Sequence, residues 1–109
     1  MVIRHRNHLA IMTSSAISLS SSSALYDFTI SQSQAYGSSA MKDLGGGYFS
    51  IYSGDASEDG QVDADDRAFT WNERNLVGYM DEDVTIDGQV DADDRATTWN
   101  NRNIVSQVP

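Results

Sequence analysis

The sequence predicts an α+β fold, with antiparallel β structure in residues 1–53 and two copies of a loop–helix unit in residues 54–109. In the first part, apolar and polar residues alternate along short segments separated by serine and glycine, which is typical of strands with one wet face. In the second part, residues 55–78 and 83–106 are identical at 17 of 24 positions, which indicates a duplicated supersecondary unit. We therefore predict two domains with a boundary at residue 54.

Residues 2–12 alternate in a way that predicts one long strand, with Ile3, Leu9 and Ile11 on one face and Arg4 and Arg6 on the other. This strand begins almost at the first residue of the chain. An unpaired strand exposes a row of backbone hydrogen-bonding groups, so we expect its partner to come from missing upstream sequence or from a neighbouring chain. The β part is accordingly predicted to be sandwich-like and incomplete.

The two histidines of this segment, His5 and His8, are three residues apart. On a single strand they lie on opposite faces, which disfavours joint metal binding and indicates a structural role. The serine-rich residues 14–23 contain Ile17 and Leu19, and they predict either a short strand or a loop.

Two further strands are predicted in the first part. Tyr26, Phe28 and Ile30 alternate with polar residues, and residues 48–52 form a compact apolar and aromatic run. Between them, Gly37 and the glycines at 45–47 mark turns. The chain thus enters the second part from a strand.

Each repeat opens with twelve residues whose oxygen-bearing side chains recur at alternate positions around a glycine. A calcium loop supplies roughly six to eight oxygens at about 2.3–2.6 Å from positions 1, 3, 5, 7, 9 and 12, with glycine at position 6 for the sharp turn. The same spacing occurs twice, which an acidic surface turn does not explain. We predict two calcium ions with these ligands: Asp55, Ser57, Asp59, Gln61, Asp63 and Asp66 in the first loop, and Asp83, Thr85, Asp87, Gln89, Asp91 and Asp94 in the second.

A helix is predicted after each loop, because Asp63 and Asp91 precede helically spaced residues and are good N-cap residues. Acids in the first turn also suit the positive end of the helix dipole. The tryptophans of the two helices are predicted to pack in a shared core, with sugar stacking as the alternative. The predicted core set is Val62, Trp71, Leu76, Val90, Trp99 and Ile104.

Composition limits the classes of function. The chain of 109 residues has no cysteine, so metals and partners are the available means of stabilising two small parts. The net charge of −9 arises in residues 55–109, which carry fourteen acidic and four basic side chains, and seven Lys and Arg in total argue against nucleic acid as a partner. No apolar run is long enough to span a bilayer. No nucleophile with a base and an orienting acid is visible, so we do not expect an enzyme.

With loops that lack an entering helix, residues 55–105 resemble a dockerin, the paired calcium module of secreted bacterial proteins. Aspartate at position 12 is shared, whereas Ser57 and Thr85 at position 3 depart from the usual asparagine or aspartate. The helices carry Trp-Asn-x-Arg-Asn in place of the pattern that binds cohesin. The resemblance therefore implies calcium binding more strongly than cohesin binding.

Nearly the whole chain is also similar to the C-terminal region of large secreted surface proteins of Gram-negative bacteria. The residues that carry this similarity are the run at 4–13, residues 27–29 and 35–37, the glycine-rich entry to Tyr48, both loops and the ending at 106–109. The resemblance implies an extracellular or cell-surface, non-catalytic structural or adhesion module. Two alternatives stay open: a subunit of a filament assembled by strand addition, and a module that binds carbohydrate or a cohesin-like partner.

Overall fold

The computed structural model describes residues 1–18, 20 and 25–109. Two β-hairpins precede two helices, which confirms the α+β class and the antiparallel pairing. The described strands form two separate two-stranded sheets, and a larger sandwich stays a prediction. The elements are β1 (Val2–His5), β2 (His8–Met12), β3 (Lys42–Gly45), β4 (Tyr48–Ser50), α1 (Ala64–Asn72) and α2 (Ala92–Asn100).

The prediction of one long strand over residues 2–12 is wrong, because this segment folds back on itself. β1 and β2 pair with Val2 opposite Met12 and His5 opposite His8. The other side of β2 is also occupied near its start, where the N–H of Leu9 donates to the carbonyl of Tyr52 at 2.8 Å. The first strand thus pairs within the chain. The structure therefore gives no reason to expect a missing neighbour strand as its partner.

The strand predicted at Tyr26 to Ile30 is also wrong. A 3-10 helix spans Phe28–Ile30, and a second one spans Gln32–Gln34. The Asp27 carboxylate accepts hydrogen bonds from the N–H and the hydroxyl of Thr29, at 2.8 and 2.6 Å. Such local bonds favour a turn over an extended strand. In the serine-rich stretch, residues 14–18 and 20 form no strand, and Leu19 and residues 21–24 lie outside the described residues.

The second hairpin joins β3 and β4 through the predicted glycine turn at residues 45–47. Its second strand, Tyr48–Ser50, confirms the first part of the strand predicted over residues 48–52, but Ile51 and Tyr52 lie outside it. β3 has no clear pattern in the sequence. The hairpins and the 3-10 helices share one small apolar cluster. Its members are Ile11, Ala35, Ala40 and Met41, with Phe28, Phe49 and Ile51 packed against them.

The two helices begin where the sequence predicts. Asp63 caps α1 and Asp91 caps α2, and each forms a capping box with the acid three residues later. This reciprocal arrangement satisfies N–H groups that a helix start otherwise leaves without partners. Each helix is therefore fixed directly onto the end of its loop.

The core between the repeats differs from the predicted one. Val62 and Val90 are fully buried, as predicted, but the side chains of Trp71, Leu76 and Trp99 are 48%, 43% and 46% exposed. The valines pair through their backbones with the end of the opposite repeat, where the N–H of Val62 donates to the carbonyl of Ile104 at 2.9 Å. This crossed pairing turns the buried threonines Thr70 and Thr98 inward, and the adjacent tryptophans face outward.

Candidate metal centre

The structure brings together three carboxylates in each loop. Oxygen atoms of Asp55, Asp59 and Asp66 lie within 4.8 Å of one another, and those of Asp83, Asp87 and Asp94 do the same. These are positions 1, 5 and 12 of the two predicted loops. In each triad the first and last residues are buried and the middle one is exposed. The two triads can therefore each hold a metal ion that enters from the solvent side.

The first loop wraps around its two buried carboxylates. The two oxygens of Asp55 accept the N–H groups of Asp59 at 3.1 Å and Gly60 at 3.0 Å. Those of Asp66 accept the N–H groups of Ser57 at 2.9 Å and Asp63 at 2.7 Å. These bonds fix the orientation of both carboxylates before any ion binds.

The second loop repeats this pattern. Asp83 accepts the N–H groups of Asp87 at 3.1 Å and Gly88 at 2.8 Å. Asp94 accepts those of Thr85 at 3.0 Å and Asp91 at 2.7 Å. Because the two loops differ in sequence at positions 2, 3 and 4, the shared positions determine this geometry.

At position 3, the two hydroxyl side chains border the triads. Ser57 Oγ lies 3.5 Å from Asp55 Oδ1, and Thr85 Oγ1 donates to Asp94 Oδ1 at 3.0 Å. A hydroxyl oxygen in this place is available to a cation once its proton points away. These residues therefore lie where the sequence predicts ligands.

Positions 7 and 9 play other roles in this structure. The side chains of Asp63 and Asp91 accept the helix N–H groups of Asp65 and Asp93, each at 2.9 Å, and so act as N-caps. The backbone N–H groups of Gln61 and Gln89 donate to Asp59 and Asp87, at 3.0 and 3.1 Å. Metal coordination through positions 7 and 9 stays a prediction.

The charge in these sites is costly without a cation. Burial raises the pKa of the Asp66 carboxyl and of the Asp94 carboxyl above the ordinary value. Burial and the nearby charge of Asp66 likewise raise the pKa of Asp55. At Asp83 burial acts in the same direction, but N–H groups of Gly88 and Asp87 outweigh it and the pKa is lowered. Three of the four buried acids thus favour neutralisation, which a divalent cation also supplies.

The donor set fits a hard divalent cation. Every side chain that converges offers oxygen, and neither triad includes histidine or cysteine. Oxygen donors of this kind suit calcium, magnesium or manganese rather than zinc or copper.

Asn7, in the turn between β1 and β2, is a residue that the sequence did not single out. It is completely buried, and its side-chain amide donates to the carbonyls of Asp81 at 3.0 Å and Asp83 at 2.8 Å. The backbone carbonyl of Asn7 accepts the N–H groups of Gly54 at 3.0 Å and Asp55 at 3.1 Å. Asn7 is thus hydrogen-bonded to the backbone at the start of both loops. An asparagine between two strands is too common a turn residue to signal this role.

The histidines flank Asn7 and face each other, contrary to the expectation of opposite faces. His5 Nδ1 and His8 Nδ1 are 3.0 Å apart, and they lie 3.1 and 2.7 Å from Asn7 Oδ1. Burial, with the charges of His5 and Arg6, lowers the pKa of His8 to about 4. A neutral His8 ring beside the Asn7 amide agrees with the structural role that we predict for it.

Comparison with known proteins gives no family assignment: no family model matches the chain, and no curated protein or solved structure matches it significantly. The described part of the chain contains no helix long and apolar enough to cross a membrane. The loops, their triads and their attachment to the hairpin turn therefore carry the functional argument.

Proposed function

We propose that this chain is a non-enzymatic, extracellular calcium-binding module that gives structure to a larger bacterial surface protein or assembly. The observation that carries the proposal is the pair of equivalent Asp triads, Asp55/Asp59/Asp66 and Asp83/Asp87/Asp94. Two sites with the same backbone support and the same donors are hard to explain as surface acidity. Both are built from oxygen alone, which favours calcium.

The attachment of the loops to the β part supports a structural role. Asn7 bonds to the entry of both loops, Ser106 Oγ donates to the carbonyl of Ala10 at 2.8 Å, and Asn101 Nδ2 donates to the carbonyl of Ser53 at 2.8 Å. Ordering the loops around calcium therefore orders the contacts between the hairpins and the helices. In this proposal the bound ions stabilise the fold in place of disulfide bonds, which a chain without cysteine cannot form.

The extracellular location rests on the resemblance to secreted bacterial surface proteins. Small extracellular calcium modules bind in a medium rich in calcium, where even weak sites are filled. The acids that converge are all engaged with loop N–H groups, and this arrangement supports metal binding rather than acid–base catalysis. Filament assembly is the second proposal, because all four residues of β1 are exposed and, among the described residues, β1 pairs with β2 alone, which leaves one strand edge for strand addition.

Calorimetric titration with calcium tests the proposal. We expect two ions per chain, one after Asp55→Asn or Asp83→Asn, and two again in the matched control Asp65→Asn. Asp65 is an exposed acid in the first turn of α1, next to Asp66, and its side chain lies outside the triad. Absence of calcium binding by the unmodified chain, or an equal loss in the control, would overturn it.

A further inference from the structure

An exposed groove lies between α1 and α2, on the face of the helices that carries the two tryptophans. We call it the Trp–Arg groove, and it encloses about 440 Å³. Small residues at 64 and 68 leave it open. Its lining residues are Ala64, Arg67, Ala68, Trp71, Arg95 and Trp99.

The groove has two equivalent halves, and in each half an arginine of one helix contacts the tryptophan of the other helix. Arg67 of α1 lies over the Trp99 ring of α2, with its guanidinium carbon 4.5 Å from the ring centroid. Arg95 of α2 lies over the Trp71 ring of α1 at 4.8 Å. Each indole therefore holds a guanidinium from the opposite repeat in a cation–π contact.

Each ring also holds an arginine from its own repeat. Arg74 lies 4.1 Å from the Trp71 centroid, and Arg102 lies 4.0 Å from the Trp99 centroid. Both of these arginines also donate to backbone carbonyls, at 2.8 Å, which ties them down. The four arginines around the two indoles make up four of the seven basic side chains of the protein.

Among the described residues, none of these four arginines forms an ion pair, although the protein has 16 acidic residues. Within the described residues the one ion pair joins Arg6 and Asp81, and no side-chain hydrogen bond of Arg67 or Arg95 is found there. The cation–π contacts hold each guanidinium at an indole, while Arg67 and Arg95 keep side-chain N–H groups without a hydrogen-bond partner among the described residues. Guanidinium N–H groups of this kind can form a bidentate contact with a carboxylate or a sulfate.

We infer that the Trp–Arg groove binds an anionic polysaccharide, with one charged group of the glycan in each half of the groove. Charge complementarity carries this choice, because the four arginines around the two indoles make this surface locally basic against the net charge of −9, and a basic groove selects an anion. The parts of the two indoles that stay exposed between their arginines add apolar contact for sugar rings. Side chains of an acidic polypeptide have no such ring. A polymer of regular repeat also suits two equivalent half-sites.

Dextran sulfate and dextran test the inference, because they share one backbone and differ in charge. The calcium-saturated full chain is titrated with each, followed by calorimetry and by fluorescence of Trp71 and Trp99, the two tryptophans of the protein. We expect dextran sulfate to bind and change the fluorescence, and dextran to do neither. Polyglutamate of similar length serves as the polypeptide anion and should bind more weakly.

The variants Arg67→Gln and Arg95→Gln should each weaken dextran sulfate binding at least about tenfold, because each removes one charged, bidentate contact. Arg4→Gln is the matched control, an exposed arginine outside the groove, and should change it little. Arg67→Lys keeps the charge but loses the planar fork, and should fall between them. Circular dichroism and calcium titration verify that each variant folds.

Three results would overturn the inference. The first is an equal effect of Arg4→Gln, which would indicate nonspecific charge attraction. The second is retention of binding in both groove variants. The third is polyglutamate binding as tightly as dextran sulfate, which would assign the groove to an acidic polypeptide.

Discussion

The side-chain amide of Asn7 donates to the carbonyl oxygen of Asp83 at 2.8 Å, across 76 positions of the sequence. Asp83 is the first residue of the second loop, and the carbonyl of the same asparagine accepts the N–H of Asp55, the first residue of the first loop. The turn of the first hairpin thus connects both candidate calcium sites. We expect substitutions at this turn to alter both candidate calcium sites.

Asn7→Ala is expected to lower the free energy of unfolding of the calcium-loaded protein by about 2 kcal/mol. The substitution leaves the buried carbonyl of Asp83 and the partly buried carbonyl of Asp81 without their side-chain donor, and one buried unsatisfied group costs about 1–3 kcal/mol. Urea unfolding in the presence of calcium measures this change in the free energy of unfolding. Asn72→Ala, at an exposed helix position, is the control, and equal stability of the two variants would contradict this role.

Asp66→Ala is expected to abolish calcium binding at the first site, and Ser57→Ala to weaken it less. The carboxylate of Asp66 is fully buried and supplies charge, whereas the serine supplies a neutral oxygen at the border of the triad. Asp94→Ala and Thr85→Ala should show the same order at the second site. Calorimetric titration ranks the four variants, and a Ser57→Ala protein as weak as Asp66→Ala would mean that the loop register is wrong.

Ile86→Asn is expected to stabilise the protein by roughly 1 kcal/mol. Ile86 has a φ of 63°, in the left-handed region that costs a β-branched residue about 1–2 kcal/mol and that asparagine tolerates. Its side chain is 55% exposed, so little packing is lost. Glu58, at the same loop position with φ 61°, is unbranched, and Glu58→Asn should gain less. Thermal unfolding with calcium tests both, and a loss of stability in Ile86→Asn would argue against strain.

Acidification is expected to weaken calcium binding. Burial raises the pKa of Asp66 and Asp94 above the ordinary carboxyl value, so protons compete with calcium for these oxygens at a higher pH than at an exposed carboxyl. Titrations at about pH 7 and about pH 5 test this. Calcium affinity that is equal at both values would contradict it.

The parts of the structure that local signals determine were predictable from the sequence. Asp63 and Asp66 form a capping box within four residues, so the start of α1 follows from the sequence alone. The glycine at position 6 of each loop and the alternate oxygens are equally local. The convergence of positions 1, 5 and 12 followed from this spacing.

The parts of the structure that depend on contacts between residues distant in sequence were not predictable from the sequence. Apart from Asn7 itself, which is a common turn residue, residues 2–12 contain no glycine or proline that marks the turn. The turn forms because Asn7 satisfies four backbone groups of the loops, far away in sequence. The exposure of Trp71 and Trp99 likewise follows from the crossed pairing of Val62 and Val90 with the opposite repeat. At Asp27 the local side-chain bond to Thr29 overrides the alternation of Tyr26, Phe28 and Ile30.

Thermal unfolding of the full chain in calcium, in magnesium and in chelator tests most directly the claim that calcium staples this fold. At about 1,000 times the dissociation constant, each site adds about 4 kcal/mol, so we predict that Tm rises by roughly 15 °C or more in calcium and much less in magnesium. Asp55→Asn/Asp83→Asn should lose this rise, and Asp65→Asn/Asp93→Asn should keep it. Superimposable melts in calcium and in chelator would contradict the claim.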